Sequence, residues 1–180
     1  MRRCFRPLAA LFARAPAAPE PPAPPPTVAD SFAELRRHKV IGWDLDMTLL
    51  GHPAAAAMHD FIRATPDIRH LIVTFRANGM QERIWSDLAA QPHSAGPTSF
   101  AAVLTIDDAL ASGFQRLRRH RAAGLYAGPH SPTEIAYLSW KGQACASWGA
   151  SVLIDDMTEH VSLGCTTHGI ELRHPDVFRF

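Results

Sequence analysis

Four aspartates, two threonines and one lysine stand at spacings that allow them to act together. Asp44, Asp46 and Thr48 follow the apolar run Val40-Ile41-Gly42-Trp43. Thr74 closes Leu71-Ile72-Val73, and Asp155-Asp156 closes Val152-Leu153-Ile154, with Lys141 fourteen residues ahead of Asp155. In a parallel sheet the ligand crevice lies outside the carboxyl ends of the strands, where these polar groups would gather. Asp44 and Asp46 are separated by one residue, so both are expected to face that crevice. Converging carboxylates repel one another unless a cation neutralises them, and an oxygen-only set without Cys or His selects a hard ion, Mg²⁺. Such an ion beside hydroxyls and a lysine offsets the charge of a phosphoryl group and its transition state. A carboxylate can also attack phosphorus directly.

The chain must supply strands that end at these residues and helices that return between them. The pattern predicts a helix over Ser31–His38, with Ser31 as N-cap and Glu34 three residues on. It predicts strands at Lys39–Leu45, His70–Thr74, Phe100–Ile106 and Ser151–Asp155. Between and after them, helices are expected over Ala54–Ala64, Gly79–Gln91, from Asp107 or Asp108 to Ala123, Lys141–Trp148 and Thr158–Thr166. Strands alternating with helices imply an α/β fold, a Rossmann-like three-layer α/β/α sandwich around a central parallel sheet.

Composition narrows the classes further. The 180 residues carry 18 Lys+Arg against 17 Asp+Glu, a formal charge of +1, which makes no electrostatic case for nucleic acid or a polybasic membrane anchor. No uninterrupted apolar run reaches eighteen residues, so no membrane span is expected. Eight of the 15 prolines fall in the first thirty residues, an Ala/Pro/Arg-rich segment read as a disordered tail ahead of a 31–180 domain. Arg2-Arg3 followed by Leu8–Phe12 resembles an export signal only weakly, since Arg14 and Pro16 interrupt it, and a cytoplasmic location is expected. The domain itself holds 14 basic and 15 acidic groups. Cys4, Cys145 and Cys165 form no CxxC pair, and the last two read as buried, inert thiols. Arg116, Arg118, Arg119 and Arg121 read as a solvated helix face, and His52 as an exposed loop residue. Arg76 and Asn78, just after Thr74, are candidates for substrate contact or for a helix start.

The ordered set Asp-x-Asp-x-Thr, Thr, Lys, Asp-Asp resembles the haloacid dehalogenase-like (HAD) superfamily of phosphatases, from Lys39 to about Phe178. The resemblance implies that Asp44 is a nucleophile and Asp46 a general acid/base that protonates the leaving oxygen and then activates water. It implies that Thr48, Thr74 and Lys141 bind phosphate, and that Asp44, Asp155, Asp156 and the backbone carbonyl of Asp46 hold Mg²⁺. The second acid of the last motif is open between Asp156 and Glu159. Lys141 is favoured as the phosphate lysine, the other lysine being Lys39 before the nucleophile strand, with Arg121 as a minor alternative. The interval from Thr48 to Thr74 has room for one helix and a strand, so no large cap domain is expected, and the step from Thr74 to Lys141 leaves only a loop over Ala127–Thr133. An open crevice calls for a bulky phosphorylated substrate, or a second subunit in a homodimer, to exclude water.

Two other functions share these residue types. A phospho-receiver domain also uses Asp, Thr, Lys and Mg²⁺, but places its acidic pair first and its lysine last, the reverse of the order here. A catalytically silent HAD-fold binding or scaffold protein would keep the motifs without turnover.

Overall fold

The computed structural model describes residues 28–124 and 129–178. Within them, β1 (Val40–Trp43), β2 (Arg69–Ala77), β3 (Ala102–Ile106), β4 (Val152–Ile154) and β5 (Glu171–Arg173) form one sheet. The helices are α1 (Val28–Leu35), α2 (Ala55–Ala64), α3 (Gln81–Ala89), α4 (Asp108–Ala122), α5 (Pro132–Ser147) and α6 (Thr158–His168). Every strand pair is parallel, in the order β3-β2-β1-β4-β5. The chain steps outward from β1 to β3 and then crosses to β4 on the other side of β1. Strand order therefore reverses between β1 and β4, which opens a crevice at their carboxyl ends.

Side-chain alternation divides the core into two. Ile41 and Trp43 of β1, Ile72 of β2, and Val152 and Ile154 of β4 pack with Leu35, Met58, Phe61, Ile62, Ile84 and Leu88 from α1, α2 and α3. Val40, Leu71, Val73 and Leu153 point the other way, against Cys145, Val161 and Cys165 of α5 and α6. Strands buried on both faces account for the near-continuous apolar runs. The α/β/α sandwich expected from the pattern is present. No helix among the described residues is long and apolar enough to cross a membrane.

Several elements differ from the sequence expectation, among them β2, which runs on to Ala77 past the expected end at Thr74. Helix α1 begins at Val28, so Ser31 lies buried inside the helix instead of capping it. Ser31, Phe32 and Leu35 share the inward face there, and Phe32 stacks on Phe61 and Phe178 at 5.1 and 4.6 Å. Most of the Ala/Pro/Arg-rich segment, up to residue 27, lies outside the described residues. Helix α5 starts at Pro132, nine residues ahead of Lys141, so part of the expected 127–133 loop is helical and residues 127 and 128 lie outside the description. Its signal was in the sequence: Ser131 Oγ accepts the Glu134 N–H at 3.2 Å, with Pro132 at the first helical position. Strand β5 is too short to show a pattern.

A close packing constraint joins two glycines. A Cβ on Gly142 of α5 would lie 2.1 Å from the Gly164 carbonyl carbon, and one on Gly164 of α6 would lie 2.5 Å from the Ser139 carbonyl oxygen. The helices therefore touch backbone to backbone, next to Lys141. Gly164→Ala is expected to cost about 1–3 kcal/mol or more, since neither backbone can yield, as measured by urea unfolding. A neutral substitution would mean that the helices separate freely.

His70 on β2 is a second structural fixture. The Trp43 indole N–H donates to His70 Nδ1 at 3.1 Å, so the ring carries its proton on Nε2, which faces Thr65 Oγ1 at 3.0 Å and the Thr65 carbonyl at 3.3 Å. Burial lowers this imidazole from 6.5 to about 4, against the opposing pull of the Thr65 carbonyl. The unfolded chain thus takes up a proton below pH 6.5 that the folded chain refuses until about pH 4. Stability is expected to fall across that window, by on the order of 3 kcal/mol from this group. A His70→Gln variant with an equally steep decline in thermal stability would contradict the assignment.

Candidate functional site

The crevice at the β1/β4 boundary holds the sequence-predicted acids. Asp44, the first residue past β1, donates its N–H to the Ile154 carbonyl at 2.8 Å, and Asp155, the first past β4, donates to the Arg173 carbonyl at 3.0 Å. The sheet thus pins both aspartates by their backbones. Carboxylate oxygens of Asp44, Asp155 and Asp156 come within 4.8 Å of one another. Asp155 and Asp44 are buried and Asp156 is half-buried. Of the two acids left open by the sequence, Asp156 joins this cluster, while Glu159 is exposed in the first turn of α6.

Lys141 enters from α5 and is 2% exposed. Its Nζ lies 2.5 Å from Asp44 Oδ1 and 2.7 Å from Asp155 Oδ2. Its aim is set by an aromatic column in which Phe114 of α4 stacks on Tyr137 of α5 at 3.7 Å and Tyr137 on Phe75 of β2 at 4.4 Å. Lys141 Nζ sits 4.6 Å from the Phe75 ring centroid. Arg121, the alternative cation, instead pairs with Glu134 at 3.0 Å.

One ammonium among three carboxylates leaves the crevice negative. Burial pushes the Asp44 carboxyl up; Lys141 pulls it back and Asp155 pushes with burial, leaving it at about 7. Burial works against the Lys141 charge, but Asp44 and Asp155 outweigh it and hold its pKa above the ordinary value. The Cys145 and Cys165 thiols behind the site are buried and pushed up to about 12 and 11, in keeping with inert packing.

Beyond β1 the strand alternation stops. Leu50 N–H donates to the Leu45 carbonyl at 2.7 Å and Leu49 N–H to the Asp44 carbonyl at 3.4 Å, with Met47 in the left-handed region at φ 58°. Leu45 and Leu49 are fully buried and anchor this turn. Asp44 and Thr48 consequently point inward, while Asp46 and Met47 face outward. The Asp46 side chain, 56% exposed, stands outside the carboxylate cluster and is held by Arg76, whose Nε and Nη2 lie 3.0 and 2.6 Å from its two oxygens. A turn in place of an extended strand is the reason that Asp44 and Asp46 do not share one buried wall.

The two threonines are both buried. Thr74, near the carboxyl end of β2, accepts the Arg76 backbone N–H at 3.2 Å through Oγ1, leaving its own proton free to donate. Thr48 Oγ1 is, among the described residues, the one buried side-chain oxygen or nitrogen that finds no hydrogen-bond partner. His52 departs from its expected exposure: it is buried, accepts the Ala54 N–H and meets Asp176 at 3.1 Å. Its Nε2 partner Asp176 is contributed by the C-terminal 3-10 turn Pro175–Phe178, which no local pattern announces.

No protein-family model matches the chain, and no curated protein matches it. Among solved structures it is similar to the N-terminal part of the Bacteroides fragilis protein BF1531, which contains a phosphatase domain complexed with Mg. The identity is 13% and the TM-score 0.42 over 74% of this chain, which spans about 35% of that one. So loose an overlap transfers no residue roles.

The residues themselves fit a hard divalent cation. Three carboxylates offer oxygen donors and a net negative charge that Lys141 alone does not balance. The orphan Thr48 hydroxyl is a further polar group facing no protein partner. Valine has the shape of threonine without the unsatisfied oxygen, so Thr48→Val is expected to keep the stability of the ligand-free protein or raise it by about 1 kcal/mol. A loss of comparable size in chemical unfolding would show that the hydroxyl is already satisfied.

Proposed function

We propose that this chain is a Mg²⁺-dependent HAD-type phosphatase that hydrolyses phosphomonoesters through an aspartyl-phosphate on Asp44. The observation that carries the reading is the convergence of Asp44, Asp155 and Asp156 on one crevice with a single buried lysine bridging the first two. Asp44, Asp155 and Asp156, with the backbone carbonyl of Asp46 that the family resemblance assigns, would hold Mg²⁺. When bound, the ion supplies positive charge at the phosphoryl oxygens.

The chain's own groups divide the remaining work. Lys141 fixes the Asp44 carboxylate and lends its charge to the phosphoryl group. The Thr74 hydroxyl, with its acceptor side taken by Arg76, donates to a phosphoryl oxygen. Asp44 attacks phosphorus as the bond to the leaving oxygen breaks, and Asp46 gives that oxygen its proton. Asp46 then takes a proton from the water that cleaves the Asp44–phosphate bond, which releases inorganic phosphate and restores both aspartates. Among the described residues the interval from Thr48 to Thr74 holds only α2 and the first part of β2, with no inserted domain to roof the crevice. The substrate is accordingly a bulky or macromolecular phosphomonoester that shields the reaction itself, or a second copy of the chain covers it.

Asp44→Asn is expected to abolish phosphate release from a panel of sugar phosphates, nucleotides, phosphopeptides and nucleic-acid ends, with far-UV circular dichroism unchanged. Chelation of Mg²⁺ is expected to do the same to the parent protein, reversibly. Full activity in Asp44→Asn would overturn the mechanism, and stoichiometric Mg²⁺ binding without turnover on any of these esters would make the chain a binding protein.

A further inference from the structure

Arg76 owes its position to an irregularity in the sheet. Thr74 pairs with Thr105 of β3, but the next pair is Ala77 with Ile106, so β2 spends three steps where β3 spends one. Phe75 and Arg76 are the extra residues. Such bulges bend a strand and re-aim its side chains, commonly beside a site. Here Phe75 is turned to Tyr137 and Lys141, and Arg76 is turned to the turn after β1.

The guanidinium is fully engaged on carboxylates. It forks onto both oxygens of Asp46, and its remaining terminal nitrogen is paired with Asp87 of α3. Two carboxylates already neutralise its charge, so it is poorly placed to serve as a phosphate ligand, the substrate contact considered from sequence. Asp46 by contrast is exposed, outside the cluster of Asp44, Asp155 and Asp156, on a turn with left-handed backbone at its neighbour Met47, and the fork sets the direction of its carboxylate. The Arg76 backbone N–H also fixes the Thr74 hydroxyl as a donor. One residue thus orients two of the groups that the phosphatase reading needs.

We infer that Arg76, braced by Asp87, is a positioning residue that holds Asp46 where it can protonate the leaving oxygen. The inference rests on the phosphatase reading. In the first step the phosphorus–oxygen bond to the leaving group breaks as the Asp44–phosphorus bond forms, and the proton on Asp46 passes to the departing oxygen. In the second step water attacks phosphorus and returns a proton to Asp46. Only the first step depends on how basic the leaving oxygen is. Misplacing the donor therefore penalises poor leaving groups selectively.

The test compares phenyl phosphate with 4-nitrophenyl phosphate, esters of like shape whose leaving oxygens differ in their need for a proton. Lysine at this position keeps the charge but loses the planar fork. General acid catalysis contributes about 10²–10⁴-fold, so in Arg76→Lys kcat/KM for phenyl phosphate is expected to fall about tenfold or more and that for 4-nitrophenyl phosphate less than about threefold. Asp87→Asn, which loosens only the brace, is expected to shift the ratio in the same direction by less. Thermal unfolding of both variants checks that the fold is kept. Equal losses on the two esters with a raised KM would make Arg76 a substrate ligand and overturn the inference, as would faster turnover, which would make it a restraint. Absence of Asp44-dependent phosphate release in the parent protein from these esters and from the panel of sugar phosphates, nucleotides, phosphopeptides and nucleic-acid ends would overturn the phosphatase reading itself, and the role of Arg76 with it.

Discussion

The buried ammonium of Lys141, wedged between Asp44 and Asp155, is the interaction on which the rest of the structure turns. Two carboxylates taken out of water side by side would repel and protonate without it, and a lone buried lysine would lose its charge. Neither partner is tolerable alone. The sheet brings the carboxylates together because strand order reverses between β1 and β4, so the first residues beyond both strands share one crevice. The lysine arrives from the opposite side of the sequence through α5, and its approach depends on the glycine contact with α6 and on the aromatic column of Phe114, Tyr137 and Phe75.

That arrangement is better suited to binding than to stability. A buried ion pair in general gains little over well-packed apolar residues, because desolvation offsets most of the attraction. Here the balance is also incomplete, since Asp156 adds a third carboxylate and Asp44 is pushed up to about 7. The unpartnered Thr48 hydroxyl adds a further cost in the ligand-free state. Strain of this kind at one point is relieved by a ligand that brings positive charge and hydrogen-bond partners. The surrounding core, with Trp43, Ile72, Ile154 and Leu45 fully buried, supplies the rigidity that keeps it in place.

The bulge in β2 does for the rim of the crevice what the strand reversal does for its floor. Two inserted residues send Phe75 toward Lys141 and Arg76 toward Asp46. The site is consequently built in two tiers. The inner tier, Asp44, Asp155 and Lys141, is buried and held by backbone hydrogen bonds and helix packing. Outside it Asp46 and Arg76 are more exposed, with Arg76 fixed in the bulge by its N–H on Thr74 Oγ1 and forked onto the Asp46 carboxylate.

Much of this was legible in the sequence. Apolar runs of strand length ending in polar residues pointed to β1, β2 and β4 and put Asp44 and Asp155 just past the carboxyl ends of β1 and β4, because burial on both faces requires such runs and water-facing ends permit charge. Strand β2 ran on to Ala77 beyond Thr74. The scarcity of lysine singled out Lys141. Other features needed the fold. The early start of α5 had a local signal in Ser131-Pro132 and Glu134, whereas the burial of His52 depended on Asp176, which is distant in sequence. That Asp156 and not Glu159 lies beside Asp44 and Asp155 needed the fold, as did the outward turn of Asp46 over the buried anchors Leu45 and Leu49. By itself the sequence determined which residue types end which strands, since local periodicity and composition encode burial. Only the tertiary structure decided which side chains face one another, because a turn, a bulge and a glycine contact are settled by packing partners that lie far away along the chain.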